Sequence, residues 1–490
     1  MKQYVTGLKI NHSAAVEVTE DFELPDYRPE IRKAVGTQCT VTKDSAFLEG
    51  NAVEVSGCVL YTVLYMSSEG GLTSVPLYSA WSAGIPLPEE GGIGTDDLYM
   101  TAECESVTCR ITGPRKLTLS ARVRLRCSAL GETDCTAETD EKAKITLRTE
   151  ETATVMLKTC RQTGTAGGEI TGESPAACRG SVQISEARIT PEGIAVTGEA
   201  VLRMLAPDEN GSHTILRCRA PISEIIPCPR LPENAGAPVC SASGKCAALT
   251  ITPGEDGIIR WEMEYDLEAA VLAEGTSAHA ADGYCTTHED TPVFRQTEAV
   301  TGGRLIRGQV TLTGEKNIRS VPQGEDAAGL QFLYGWGRGS FEKGERLPGG
   351  RILLTGTAHC TVLLTGNGDV LSEEAALPIR YECEWTESDT PADNRLTDCR
   401  CSFTILDVGG HMDGNVLRLH AEAACDGVVF TKEPCSWLQS LTCHADRPLP
   451  PARPAVILYT PEPAETPWDI QKRYRTDNIT ESAGRFIIRR

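Results

Sequence analysis

The stretch that decides the fold is "KLTLSARVRLRC", Lys116 to Cys127. Leu117, Leu119, Ala121, Val123 and Leu125 alternate with Thr118, Ser120, Arg122 and Arg124. A period of two sends one set of side chains to a buried face of a β-strand and the other set to a wet face. The same alternation returns in "IRWEMEYDLEAA" from Ile259 and in "LRLHAEAAC" from Leu417.

A second landmark precedes each of these strands. It reads "GNAVEVSGCVLYTVLYMSSEGG", then "GIAVTGEAVLRMLAPDENGS", then "GRILLTGTAHCTVLLTGNGD". Each copy is a strand, a glycine, a longer strand and a polar turn, which is a hairpin pattern. The internal glycines are Gly57, Gly198 and Gly356, and a glycine inside a strand marks a bulge or a close backbone approach. These glycines repeat after 141 and then 158 residues, and the alternating strands after 142 and then 158. Two landmarks with one spacing predict three homologous β domains, with a structural role for the three glycines. Cysteine pairs also recur ahead of the alternating strands, as Cys104/Cys109, Cys240/Cys246 and Cys399/Cys401, but their spacing varies too much for a shared metal site.

The fold expected is therefore all-β: three tandem β-sandwich or barrel-like repeat domains over residues 1–150, 151–296 and 297–445. A Pro-rich linker at 446–454 and a small α+β module at 455–490 complete the chain. Within the third repeat, "LYGWGRGSFEKG" reads as a Gly-rich insertion loop. The composition agrees: 46 Gly and 28 Pro supply turns between short Val-, Thr- and Leu-rich runs.

A net charge of −21 opposes binding to a phosphate backbone, so no nucleic-acid partner is expected. No run reaches the roughly 18 apolar residues of a membrane span, and the first 25 residues show no apolar leader core. The expected location is the cytoplasm. The 20 cysteines are scattered without a C-x-x-C pair and read as reduced, buried small hydrophobes. Oxidation of exposed ones would cross-link chains. No phosphate-binding loop, nucleophile elbow or zinc-protease motif is present, and no catalytic residue, metal site or cofactor is assigned.

The tail differs from the rest. In "ETPWDIQKRYR", Glu465 to Arg475, Thr466 suits an N-cap, Pro467 the first helical position and Asp469 the third, as in a capping box. Pro467, Ile470 and Tyr474 share one helix face, which makes Ile470 core. Trp468 lies off that stripe and is the better contact residue; Arg473 and Arg475 suit a charged rim. "VILY" and "RFIIRR" read as strands and "DNITES" as a second short helix, giving strand–helix–helix–strand. From residue 467 to 490 six Lys/Arg oppose three acids, so this segment carries +3.

Ala464 to Gln471 resembles the core motif of a shortened LysM module. "ELPDYRPEIRKAVGTQCTV", Glu23 to Val41, resembles the opening signature of SPOCS-domain proteins, the SipL-type spore morphogenesis proteins of Clostridia. The resemblance extends over the opening motif, three β units and the tail. It implies a non-enzymatic scaffold in the mother-cell cytosol, at the forespore surface. Its LysM-like tail would dock a coat-basement ATPase or another coat protein through Thr466, Trp468, Asp469, Arg473 and Tyr474. The alternative it implies is a wall or cortex protein that binds N-acetylglucosamine glycans of peptidoglycan.

Overall fold

The computed structural model describes residues 3–87, 98–140, 143–207, 212–228, 236–254, 257–318, 329–366, 369–384, 396–450, 456–482 and 484–489. In the first domain β1 (Tyr4–Glu23), β6 (Lys116–Asp134) and β5 (Leu98–Gly113) form one antiparallel sheet, with β6 central. β2 (Ile31–Glu49), β3 (Ala52–Ser67) and β4 (Leu72–Pro86) form the second, with β3 central. The second domain repeats this plan. Its sheets are β8 (Ile145–Thr171), β13 (Ile258–Cys285) and β12 (Val239–Pro253), then β9 (Ala177–Thr190), β10 (Gly193–Pro207) and β11 (His213–Ile226). So does the third, with β14 (His288–Asn317), β19 (Val416–Pro448) and β18 (Leu396–Asp413), then β15 (Gln331–Leu347), β16 (Arg351–Gly366) and β17 (Asp369–Glu384). A short strand β7 (Glu138–Thr139) pairs in parallel with β19.

The alternating strands are the central strands β6, β13 and β19, and their apolar residues face a second sheet across a closed core. Leu117, Leu119, Ala121, Val123 and Leu125 are fully buried, as are Met263 and Leu267 in the second copy. Each domain is thus a sandwich of two three-stranded sheets.

Gly57, Gly198 and Gly356 share one device. Opposite each, the neighbouring strand bulges by one residue, at Asp44, Ser185 and Glu342. A Cβ at these glycines would collide with the carbonyl oxygens of Thr42, Gln183 and Ser340. The absent side chain lets the bulged strand fold inward and twist over the core.

Two expected domain boundaries fall inside strands: β8 runs through 150/151 and β14 through 296/297. Both are long, half-exposed strands whose polar stretches hide their continuity. β19 likewise extends to Pro448, past the start of the expected linker, and residues 451–454 of that linker lie outside the described residues. The expected Gly-rich insertion loop is strand β15. Its glycines alternate with larger residues, so Gly335 and Gly339 lie against Val408 and Phe403 while Tyr334 and Trp336 point the other way.

Trp336 and Tyr334 enter a core shared by all three domains, with Val35, Leu64 and Met66 from the first and Ala177 and Leu205 from the second. Arginines complete the joints. Arg126 donates to Phe341 O (3.1 Å), Arg338 to Glu105 O (3.1 Å), Arg161 to Met100 O (3.4 Å) and Arg179 to Gly337 O (3.0 Å) and Ile405 O (3.2 Å). Arg307 reaches Ile184 O, and buried Arg203 reaches Gly335 O and Val408 O while pairing with Asp407. Every one of these acceptors lies on an edge strand, β5, β9, β15 or β18. Guanidinium groups from neighbouring domains therefore satisfy backbone carbonyls that a sheet edge leaves open.

Candidate functional site

After residue 455 the chain builds a separate module: β20 (Val456–Tyr459), helix α1 (Pro467–Tyr474), β21 (Ile479–Ser482) and β22 (Arg485–Arg489). β22 is central, with β20 and β21 antiparallel on either side. The second helix expected in "DNITES" is strand β21, so the module is strand–helix–strand–strand. The β-branched Ile479 and Thr480 fit a strand, and Gly484 at φ 73° supplies the tight turn back into β22.

The local chemistry explains the helix. Thr466 caps it: its hydroxyl accepts from Asp469 N, and the Asp469 carboxylate accepts from Thr466 N (2.9 Å). The Thr466 hydroxyl also lies 2.6 Å from that carboxylate, and its bond, followed by that of the Thr466 N–H, holds the Asp469 carboxyl below its ordinary range. Ile470 is fully buried with Phe486 and Ile488, and Tyr474 packs edge-on to Tyr459 at 5.6 Å. Arg473 bonds the Tyr459 hydroxyl (2.5 Å) and pairs with Glu465 (2.8 Å). Thr466, Asp469, Arg473 and Tyr474 thus serve the module itself.

Trp468 faces outward from the module and meets the body of the same chain. Its indole N–H donates to Asp282 Oδ2 (2.8 Å), its ring lies 5.3 Å from Tyr284, and Arg148 stands over it at 5.8 Å. Lys472 donates to both oxygens of Asp282 at 2.7 Å. Arg475 ends the helix in the left-handed region (φ 52°), pairs with Asp290 and donates to Cys285 O (3.3 Å). Burial pushes the Asp282 carboxyl up, but the bonds from Lys472, Trp468 and the Gly283 N–H outweigh it and leave it below its ordinary range. The basic face of α1 is thereby held by acids at the turn between β13 and β14.

Among the described residues, none covers the opposite face of the module in this way. Val456 and Leu458 on edge strand β20 are 58% and 62% exposed. Their cross-strand neighbours on that face are Arg489 and Ile487, with exposed Arg485 at the end of β22. Sequence reasoning singled out the helix and passed over this face. Its signal was the alternation in "VILY", where Val456 and Leu458 fall opposite to Ile457 and Tyr459.

A second feature that the sequence did not announce is a cavity of ≈ 1540 Å³ where the three domains meet. Its walls come from the paired edge strands of each domain: β2 and β5, β9 and β12, β15 and β18. Lys43, Lys245, Asp266 and Glu268 meet on the wall between the first two domains. Burial, then the charge of Arg161, lowers the Lys43 ammonium to about 8. Among the described residues no group of three or more His, Cys, Asp or Glu side chains is placed to hold a metal ion, and no helix is long and apolar enough to cross a membrane.

The chain matches no protein-family model, no curated protein and no solved structure.

Proposed function

We propose that this chain is a non-enzymatic scaffold of the spore envelope, with the three-domain body as spacer and the C-terminal module as its docking unit. The observation that carries the reading is the uncovered face of the module: Val456 and Leu458 are exposed beside Arg485 and Arg489, on an edge strand. An apolar strip with flanking arginines suits a protein surface that is apolar at its centre and acidic at its rim. The resemblance to SipL-type proteins makes that partner the coat-basement ATPase, or another coat protein, at the forespore surface in the mother-cell cytosol. Peptidoglycan binding is the weaker reading, because the LysM glycan groove is shaped by loops flanking two helices and the second helix is a strand here.

The test is co-purification with the coat-basement ATPase of the same organism. Three forms are compared: the full chain, a chain ending at Pro454, and the full chain carrying Leu458→Asp. The expected result is capture by the full chain only. Equal capture by all three moves the site to the β domains. Retention of the full chain on peptidoglycan instead of the ATPase overturns the scaffold reading.

A further inference from the structure

The three domains repeat one seam, where the edge strands of the two sheets approach each other and face the central cavity. Cys39, Gly180 and Gly337 are equivalent positions on it: they pair with Tyr61, Leu202 and Cys360, each four residues past its bulge glycine. Cys104, Cys246 and Ile405 are equivalent on the facing strand, paired with Val123, Tyr265 and Ala423. The thiols of Cys104 and Cys246 even make the same bond, to the carbonyls of Ser106 (3.4 Å) and Ala248 (3.6 Å) across a bulge.

In the second domain, a Cβ added to Gly180 would stand 2.8 Å from Cys246 Sγ. In the third, a Cβ at Gly337 would stand 3.4 Å from Ile405. The first domain has a real side chain at this position, and it is a second cysteine. The Cys39 and Cys104 side chains therefore face each other from the two sheets, as an inter-sheet disulfide requires, and their thiols hydrogen-bond each other. Both are half-buried and both line the cavity.

We propose that Cys39 and Cys104 are a redox-active dithiol on the cavity wall that is oxidised to an inter-sheet disulfide by low-molecular-weight disulfides. The Cys104 thiolate attacks one sulfur of the small disulfide, breaks its S–S bond and releases one small thiolate, which takes up a proton. Cys39 then gives up its proton and attacks the Cys104 sulfur of the mixed disulfide, releasing the second small thiol. Two protein thiols lose two electrons and two protons; the small disulfide gains both. The environment favours this order. The bond from Cys39, opposed by burial and aided by the charge of Arg338, lowers the Cys104 thiol, while the same bond raises Cys39. Arg338 is fixed nearby by its own bond to Glu105 O (3.1 Å). Other hydrogen-bonded thiols exist, at Cys160/Cys228, Cys285/Cys443 and Cys401 with Cys399 and Cys425, but none of them lines the cavity.

The test uses the reduced full chain in buffers of increasing oxidised glutathione. Remaining thiols are alkylated, and the chain is digested without reduction and mapped by mass spectrometry. The expected result is a joined pair of peptides linking Cys39 to Cys104, with loss of those two among the 20 alkylatable thiols. Cys39→Ala is expected to strand Cys104 as a glutathione adduct. Full alkylation of Cys39 and Cys104 in buffers that oxidise the other cysteines overturns the proposal. So does a link from either residue to a different cysteine. Both of these are read on the unmodified chain, so the result does not depend on the variant folding.

Discussion

Replacing Trp468 with alanine should release the C-terminal module from the body without unfolding it. The indole N–H bonds a carboxylate, an interaction worth about 1.5–3 kcal/mol. The tilted pair with Tyr284 adds about 0.5–1.5 kcal/mol, and the Arg148 contact, being partly exposed, about 0.5–1 kcal/mol. Together these set a loss of about 3 kcal/mol in the docking equilibrium, or roughly 150-fold more opening. Lys472 reports it, because its ammonium is held between both oxygens of Asp282 in the docked form. With slow acylation, the rate of Lys472 modification tracks the open population. It should rise roughly 100-fold in Trp468→Ala, while the amides of Phe486 and Ile488 keep their exchange protection because Trp468 is outside their core. An acylation rate within a factor of about 2 of the parent would refute the docking geometry. Lost protection at Ile488 would refute the separateness of the module.

Two further outcomes are expected. Arg203→Ala leaves the carbonyls of Gly335 and Val408 without their donor at a buried joint and leaves Asp407 paired with Arg217 alone, so it should lower stability to urea by about 1–3 kcal/mol, read from the unfolding midpoint. Lys43 has its pKa lowered from 10.5 to about 8 by burial first, with Arg161 and Lys245 adding to it against Glu268 and Asp266. Between those values the unfolded chain binds more protons, so stability rises with pH across that window and the cost of burying the charge is fully present below about 8. Lys43→Met should be more stable than the parent at neutral pH, and the advantage should shrink as the pH climbs toward 10.5. An unchanged difference across the window would rule out the buried ammonium.

The sandwich cores were legible because their chemistry is local. In the first halves of β6, β13 and β19 every second side chain is apolar, and the bulge glycines add a mark at matching spacing. β15 was misread because its inward face is written in glycine; its apolar side chains serve a joint between domains, a contact hundreds of residues away in sequence. The continuity of β8 and β14 was hidden for a different reason: both are long strands with many half-exposed polar residues, so no apolar alternation marks where they run across the expected boundaries. In the tail, Thr466 and Asp469 spelled out a helix start, but nothing in the segment named Asp282, the acid that its tryptophan meets 186 residues upstream. The cavity left no linear signature, being a space between strands that are each ordinary.

The arginine caps also set a schedule for synthesis. Glu105 O waits for Arg338, 233 residues later in the chain. At roughly 5–20 residues per second, the first domain stands for about 10–50 s with naked strand edges before its last cap leaves the ribosome. Ribosome stalling in that interval would present those edges to any neighbouring chain.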